Sequence, residues 1–87
     1  MNSEYKHVVE KTKKFDRALK NIDKKFREEL FRKVDELAKG LRNGKRLHGP
    51  FKEFKVLRVG PYRLFFREPE SCRIVLYDVK HRETAYQ

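Results

Sequence analysis

The chain has one cysteine, Cys72. No intramolecular disulfide can form, and no cysteine–histidine cluster is available for zinc. Cys72 reads as a small strand residue. No apolar run reaches the roughly 18 residues that a membrane span needs, and no signal-peptide core is present. A cytoplasmic protein with no membrane association is expected. Ser71 lies beside Pro69 in a predicted loop with no His and Asp pattern around it, which argues against serine-nucleophile chemistry. Acidic residues are scarce: 13 Asp and Glu stand against 23 Lys and Arg, for a formal net charge of +10.

What is present fits one small domain spanning residues 1–87, with no internal repeat. Charged residues make up 41% of the chain, enough to raise the question of disorder. The aromatic share of 13% and a clear apolar periodicity answer it in favour of a fold. The basic excess implies an acidic partner, nucleic acid first and acidic protein second. It is uneven. From Met1 to Gly40 there are 12 Lys and Arg against 8 Asp and Glu, the mixed signs of a solvated helix surface. From Leu41 to Gln87 there are 11 against 5, and between Arg42 and Arg63 there are 7 against 1.

Residues Tyr5 to Glu10 read as a short strand or a helix lead-in, with the Val8-Val9 pair favouring strand. From Thr12 the period changes. Phe15, Ala18, Leu19 and Ile22 fall on one helical face, with Thr12 as N-cap and Asp16 near the positive end of the helix dipole. A second helix follows, capped by Asp23. Phe26, Leu30, Val34, Leu37 and Leu41 line its apolar stripe, Phe31 and Ala38 widen it, and Gly40 with Asn43-Gly44 ends it. Beyond the His48-Gly49-Pro50 turn, strands are predicted at Phe54 to Val59, Tyr62 to Arg67 and Cys72 to Val79. Gly60-Pro61 and the loop Glu68 to Ser71 join them. Short connections make these strands antiparallel neighbours. Alternation puts Tyr62, Leu64 and Phe66 on one face and Arg63, Phe65 and Arg67 on the other, and sets Ile74 and Leu76 against Val75, Tyr77 and Val79. The fold class is α+β: an N-terminal helical hairpin packed on one face of a small antiparallel sheet. The other face carries arginines and is left to a ligand.

The stretch Leu47-His48-Gly49-Pro50, then Leu57-Arg58-Val59-Gly60-Pro61-Tyr62-Arg63, and finally His81-Arg82-Glu83-Thr84-Ala85-Tyr86, resembles the RelE/ParE toxin family of toxin–antitoxin systems. The resemblance covers essentially the whole chain, and its most specific part is Leu57 to Arg63. It implies a ribosome-dependent endoribonuclease, an mRNA interferase that cuts messenger RNA without a metal or other cofactor and so inhibits translation. The ribose 2′-hydroxyl attacks the adjacent phosphorus. The reaction needs a base, cations for the phosphorane charge and an acid for the leaving 5′-oxygen.

By the same resemblance Arg58 and Arg63 match strand arginines, and Arg82 and Tyr86 match the C-terminal arginine and tyrosine. Phe54 and Val56 stand where the best-known ribosome-dependent members have two lysines. Lys55, between them, points to the other face by alternation unless a bulge shifts the register. That leaves Lys55 or His81 as the candidate proton acceptor, and an unperturbed imidazole suits the role. Independently of the resemblance, the basic run Arg42, Lys45 and Arg46, with Lys52, reads as a candidate RNA-positioning patch, with a plain solvated loop as the alternative for residues 42–46. The implied partners are the ribosome, mRNA and an acidic, RelB-like antitoxin in a heterocomplex. Three alternatives stay open: a ParE-like toxin that poisons DNA gyrase, a non-catalytic nucleic-acid-binding domain, and an inactive toxin homologue.

Overall fold

Thr12 marks the change from strand to helix. Its backbone is extended, with φ −92° and ψ 163°, and its Oγ1 accepts a hydrogen bond from the Phe15 N–H at 3.0 Å. This is the cap expected of a threonine ahead of a helix. In the computed structural model, which describes residues 6–82, strand β1 (Val8–Lys11) ends just before Thr12 and helix α1 (Lys13–Leu19) begins just after it. Helix α2 (Lys24–Ala38) follows a short connection. Asp23 precedes it as predicted, but its side chain makes no capping bond; its carbonyl accepts from the Phe26 and Arg27 N–H groups.

The apolar stripe of α2 is shorter than predicted. Leu30, Leu37 and Ala38 are buried, whereas Leu41 is 74% exposed and Phe31 51% exposed. The reason is the helix end. Gly40 takes φ +77°, the Leu41 N–H reaches the Glu36 carbonyl, and the Gly40 N–H reaches that of Leu37. That pair of bonds is a Schellman stop, which turns the chain before Leu41 can join the buried face.

Four further strands complete one sheet: β2 (Lys45–Arg46), β3 (Phe54–Val59), β4 (Tyr62–Glu70) and β5 (Arg73–His81), with a 3-10 turn at Gly49–Phe51 before β3. The order is β1-β5-β4-β3-β2. The predicted antiparallel meander is present in β3, β4 and β5. The N-terminal strand adds a parallel edge, with Val8 beside Arg73 and Lys11 beside Leu76, so the sheet is mixed. Glu10 and Arg73 form an ion pair across this edge. Its hydrogen bond holds the Glu10 carboxyl below the usual carboxylate range and raises Arg73 in turn. The contribution is lost as pH falls through that lowered value, and it is small because both groups are exposed.

Between β3 and β4 the two-residue loop Gly60-Pro61 closes the hairpin, with Val59 paired to Tyr62. Gly60 has φ +58°, as the first central position of a type II′ turn requires, and a Cβ there would lie 2.4 Å from Cε1 of Phe26. The predicted loop at Glu68 to Ser71 is mostly strand, since pairing continues to Glu70 opposite Arg73. The register shifts between Arg67 and Glu70, where Pro69 has no N–H to give the ladder.

A second irregularity changes the faces of the sheet. Phe65 pairs with Asp78 and Phe66 with Leu76, so Tyr77 is an extra residue in β5. Such a bulge inverts the alternation beyond it. Val79, predicted on the face opposite Leu76, returns to the core opposite Leu64. Both helices cover that face. Phe15, Ile22, Leu30 and Leu37 pack there against Leu57, Val59, Leu64, Phe66, Ile74, Leu76 and Val79.

Thr12 has a second task, because its hydroxyl donates to the Tyr77 carbonyl at 2.8 Å. Thr12→Ala is expected to lower stability by about 0.5–2 kcal/mol, the range for a lost N-cap. Thr12→Ser should restore most of it. Urea unfolding of the three proteins measures both.

Candidate functional site

The face away from the helices is organised by strand register. Arg58 on β3 pairs with Arg63 on β4, and Arg63 pairs with Lys80 on β5. Directly opposed residues share a face and lie roughly 5 Å apart between Cα atoms. Three cations therefore stand abreast across three strands. Arg58 is exposed, and Arg63 and Lys80 are half-buried. Among the described residues Arg58 and Lys80 form no ion pair. Like charges directly opposite one another are unfavourable, and a bound anion removes the repulsion. Arg82 follows at the same end of the sheet, exposed, with its backbone N–H held by the Pro61 carbonyl at 2.7 Å.

Next along this face comes an apolar middle of buried Val56 and half-buried Phe65, with Lys45 of β2 paired to Val56. Buried Asp78 lies in the same row. Its Oδ1 accepts from the Val79 N–H at 2.9 Å, and its Oδ2 lies 3.6 Å from Lys14 Nζ. At the far end the rings of Phe54 and Tyr77 lie 4.9 Å apart. Lys14 Nζ is 5.0 Å from the Tyr77 centroid, and the Arg67 guanidinium is 5.9 Å from that of Phe54.

The predicted site residues divide between the faces. Arg58 and Arg63 are together, with Arg82 at their end of the sheet. Lys55 is not with them. It pairs with Phe66 on the helix side, no bulge intervenes in β3, and its ammonium is 2.9 Å from Glu68 Oε1. His81 is also displaced. It pairs with Tyr62, and their rings meet edge-on at 5.5 Å on the helix side, next to Phe26. The bulge at Tyr77 causes this, because it exchanges the faces of Lys80 and His81 relative to simple alternation. Lys80 is the site residue that sequence reasoning missed, for the same reason. Tyr86 lies outside the described residues.

The predicted RNA-positioning patch is dispersed. Arg42 is held by Glu36 of α2 at 2.8 Å. Lys45 belongs to the cationic face, and Arg46 pairs with Lys55 instead. Arg46 and Lys52 line a cavity of about 400 Å³ at the end of the sheet remote from Arg58. Lys55 and Arg67 line it too, but so do Glu53, Glu68 and Glu70, so its charge is mixed. Among the described residues no group of three or more His, Cys, Asp or Glu side chains is placed to hold a metal ion, and no helix is long and apolar enough to cross a membrane.

Comparison with known proteins agrees with this arrangement. The family described as ParE toxin of type II toxin–antitoxin system matches residues 9–86. The RelBE2 toxin–antitoxin complex of Mycobacterium tuberculosis is similar to this chain, with a TM-score of 0.64 and 28% identity over 87% of this chain and 98% of that one. The RelB–RelE complex of Methanococcus jannaschii has a TM-score of 0.72 and 21% identity, covering 90% of this chain and 95% of that one. The DinJ–YafQ toxin–antitoxin complex of E. coli gives 0.74 and 13%, covering 94% and 99%. At such identities the last two speak for the fold alone. No curated protein sequence matches. Two helices on one face of a mixed sheet, a cationic opposite face and a family match over nearly the whole length lead to one conclusion: the chain belongs to the ParE toxin family of type II toxin–antitoxin systems, within the RelE/ParE superfamily.

Proposed function

We propose that this toxin is a ribosome-dependent endoribonuclease that cuts mRNA by metal-independent attack of a ribose 2′-hydroxyl. The observation that carries the reading is the row Arg58, Arg63 and Lys80, with Arg82 at its end. When the 2′-oxygen attacks phosphorus, negative charge grows on the non-bridging oxygens. Fixed cations on a rigid sheet stabilise that charge with little reorganisation. The 2′-hydroxyl loses its proton, the P–O5′ bond breaks, and the leaving 5′-oxygen gains a proton. The products are a 2′,3′-cyclic phosphate and a 5′-hydroxyl. Lys55 and His81 lie on the other face, so charge stabilisation and alignment in the ribosome carry the rate in this reading, and neither residue acts as the base. Between translations an acidic antitoxin neutralises the cationic face, as the net charge of +10 favours.

A gyrase poison is the second reading. The ParE description of the matching family favours it, as do the apolar residues Phe54 and Val56 where the best-known ribosome-dependent members carry lysines. Expression of the toxin alone separates the two. The nuclease reading expects translation to stop and primer extension to show cuts within translated codons. Growth arrest with intact mRNA and accumulating DNA breaks would instead establish gyrase as the target.

Single-turnover cleavage on programmed ribosomes tests the residues. Arg63→Ala and Arg82→Ala should each slow cleavage by roughly a hundredfold, as loss of one transition-state contact does, with ribosome binding retained. Lys80→Ala should slow it as well. Lys55→Gln and His81→Gln, on the other face, should cleave within about a factor of two of the unaltered toxin, since neither meets the developing charge. Wild-type rates for Arg63→Ala and Lys80→Ala would remove the cationic row from the mechanism.

Association with ribosomes or RNA should also weaken steeply with salt. Each phosphate neutralised contributes roughly −0.7 to −0.9 to the slope of log K against log salt. A flat titration between low and moderate salt would count against a charge-dominated interface.

A further inference from the structure

We propose that Phe54 and Tyr77, with the Arg67 guanidinium beside them, form a stacking shelf for one unpaired nucleobase of the RNA strand whose scissile phosphate rests on Arg58 and Arg63. This deepens the nuclease reading and rests on it for the identity of the ligand.

Four observations place the shelf. The two rings lie 4.9 Å apart at a 55° tilt, although they come from β3 and β5 with β4 between them, so they converge over the middle strand. Neither belongs to the hydrophobic core, and both are half-buried on the face opposite the helices. Each carries a cation: Lys14 at 5.0 Å from Tyr77 and Arg67 at 5.9 Å from Phe54. The Arg67 side chain is 40% exposed, its ion pair with Glu53 is a long 3.8 Å contact, and among the described residues its Nε has no hydrogen-bond partner.

Aromatic rings next to planar guanidinium groups are the surfaces on which single-stranded RNA stacks its bases. Phe54 lies on the same face of β3 as Arg58 and four residues before it, roughly 13 Å along an extended strand. One face thus offers cations at one end for phosphate and rings at the other for a base. A duplex cannot use both, because its bases are already stacked. A single strand can, and the spacing then fixes its register relative to the cationic row. An antitoxin side chain is the competing occupant. The cations bordering the rings favour RNA, since base stacking and phosphate pairing use both kinds of group together.

The test uses the intact chain and short single-stranded RNA oligonucleotides. They are 2′-O-methylated throughout so that no cleavage can occur. A single abasic site is moved along the strand, and affinity is read by fluorescence anisotropy at constant salt. One position should weaken binding by about tenfold when its base is removed. Phe54→Leu should abolish the difference between that abasic strand and the complete one, and Tyr77→Phe should preserve it. Equal affinity for every abasic strand would overturn the shelf without any variant, so a folding defect cannot hide the result. Unchanged base dependence in a folded Phe54→Leu protein, or loss of antitoxin binding with RNA binding intact, would also overturn it. Base-dependent binding by a toxin that cuts no mRNA would refute the nuclease reading and leave the shelf standing. Cleavage with base-independent binding would do the reverse.

Discussion

Tyr77 has no partner of its own in β4: Phe65 opposes Asp78 and Phe66 opposes Leu76. From that extra residue the rest of the site follows. Beyond it Val79 faces the helices, Lys80 stands beside Arg63, and His81 lies against Tyr62. An unbulged β5 continuing from Phe66 and Leu76 would set Val79 opposite Arg63 and turn Lys80 into the apolar layer opposite Tyr62, where an unpaired ammonium is costly. The bulge is held from outside the strand. The Thr12 hydroxyl takes the Tyr77 carbonyl, and the same oxygen caps α1 through Phe15. The start of the first helix and the face of the cationic row are thus fixed by one side chain.

The two faces of the sheet make opposite demands. The helix side collects apolar groups and settles its remaining charges in pairs, Lys55 with Glu68 and Arg42 with Glu36. The other face lines up cations across strands, an arrangement that lowers stability in the free protein. A small domain has little stability to spare. Tolerating that repulsion is consistent with a surface that spends its time against an anionic partner, whether nucleic acid or an acidic protein. Neutralisation by a partner that binds only the folded state raises stability by mass action.

Much of the fold was legible because its signals are local. The strand Phe54–Val59 sits between turn residues and was placed to the residue. Thr12 and Asp23 both mark true helix starts. The alternation of Tyr62, Leu64 and Phe66 against Arg63 and Arg67 held, and the doubt over Lys55 was resolved by the uninterrupted pairing of β3 with β4. What failed depends on residues distant in sequence. Nothing between Val8 and Lys11 reveals that their partner is Arg73 to Leu76 in parallel register. The bulge has no glycine to announce it, so alternation set Val79 on the wrong face and gave no sign that Lys80 stands beside Arg63. Arg42 reads as a free surface cation until the turn at Gly40 brings it to Glu36.

The strand order carries a kinetic consequence. β5 lies between β1 and β4, so the latest of the described strands occupies an inner place beside the earliest. Contacts such as Thr12 to Tyr77 span 65 residues, and closing so long a loop makes this pairing late in folding. The hairpin of β3 and β4 can form locally, which gives Arg58 and Arg63 early. Lys80 joins them only when β5 inserts, and Thr12 can lock the bulge only then. A nascent or partly folded chain therefore lacks the full row of charge. The full row stands only after the segments most distant in sequence have met.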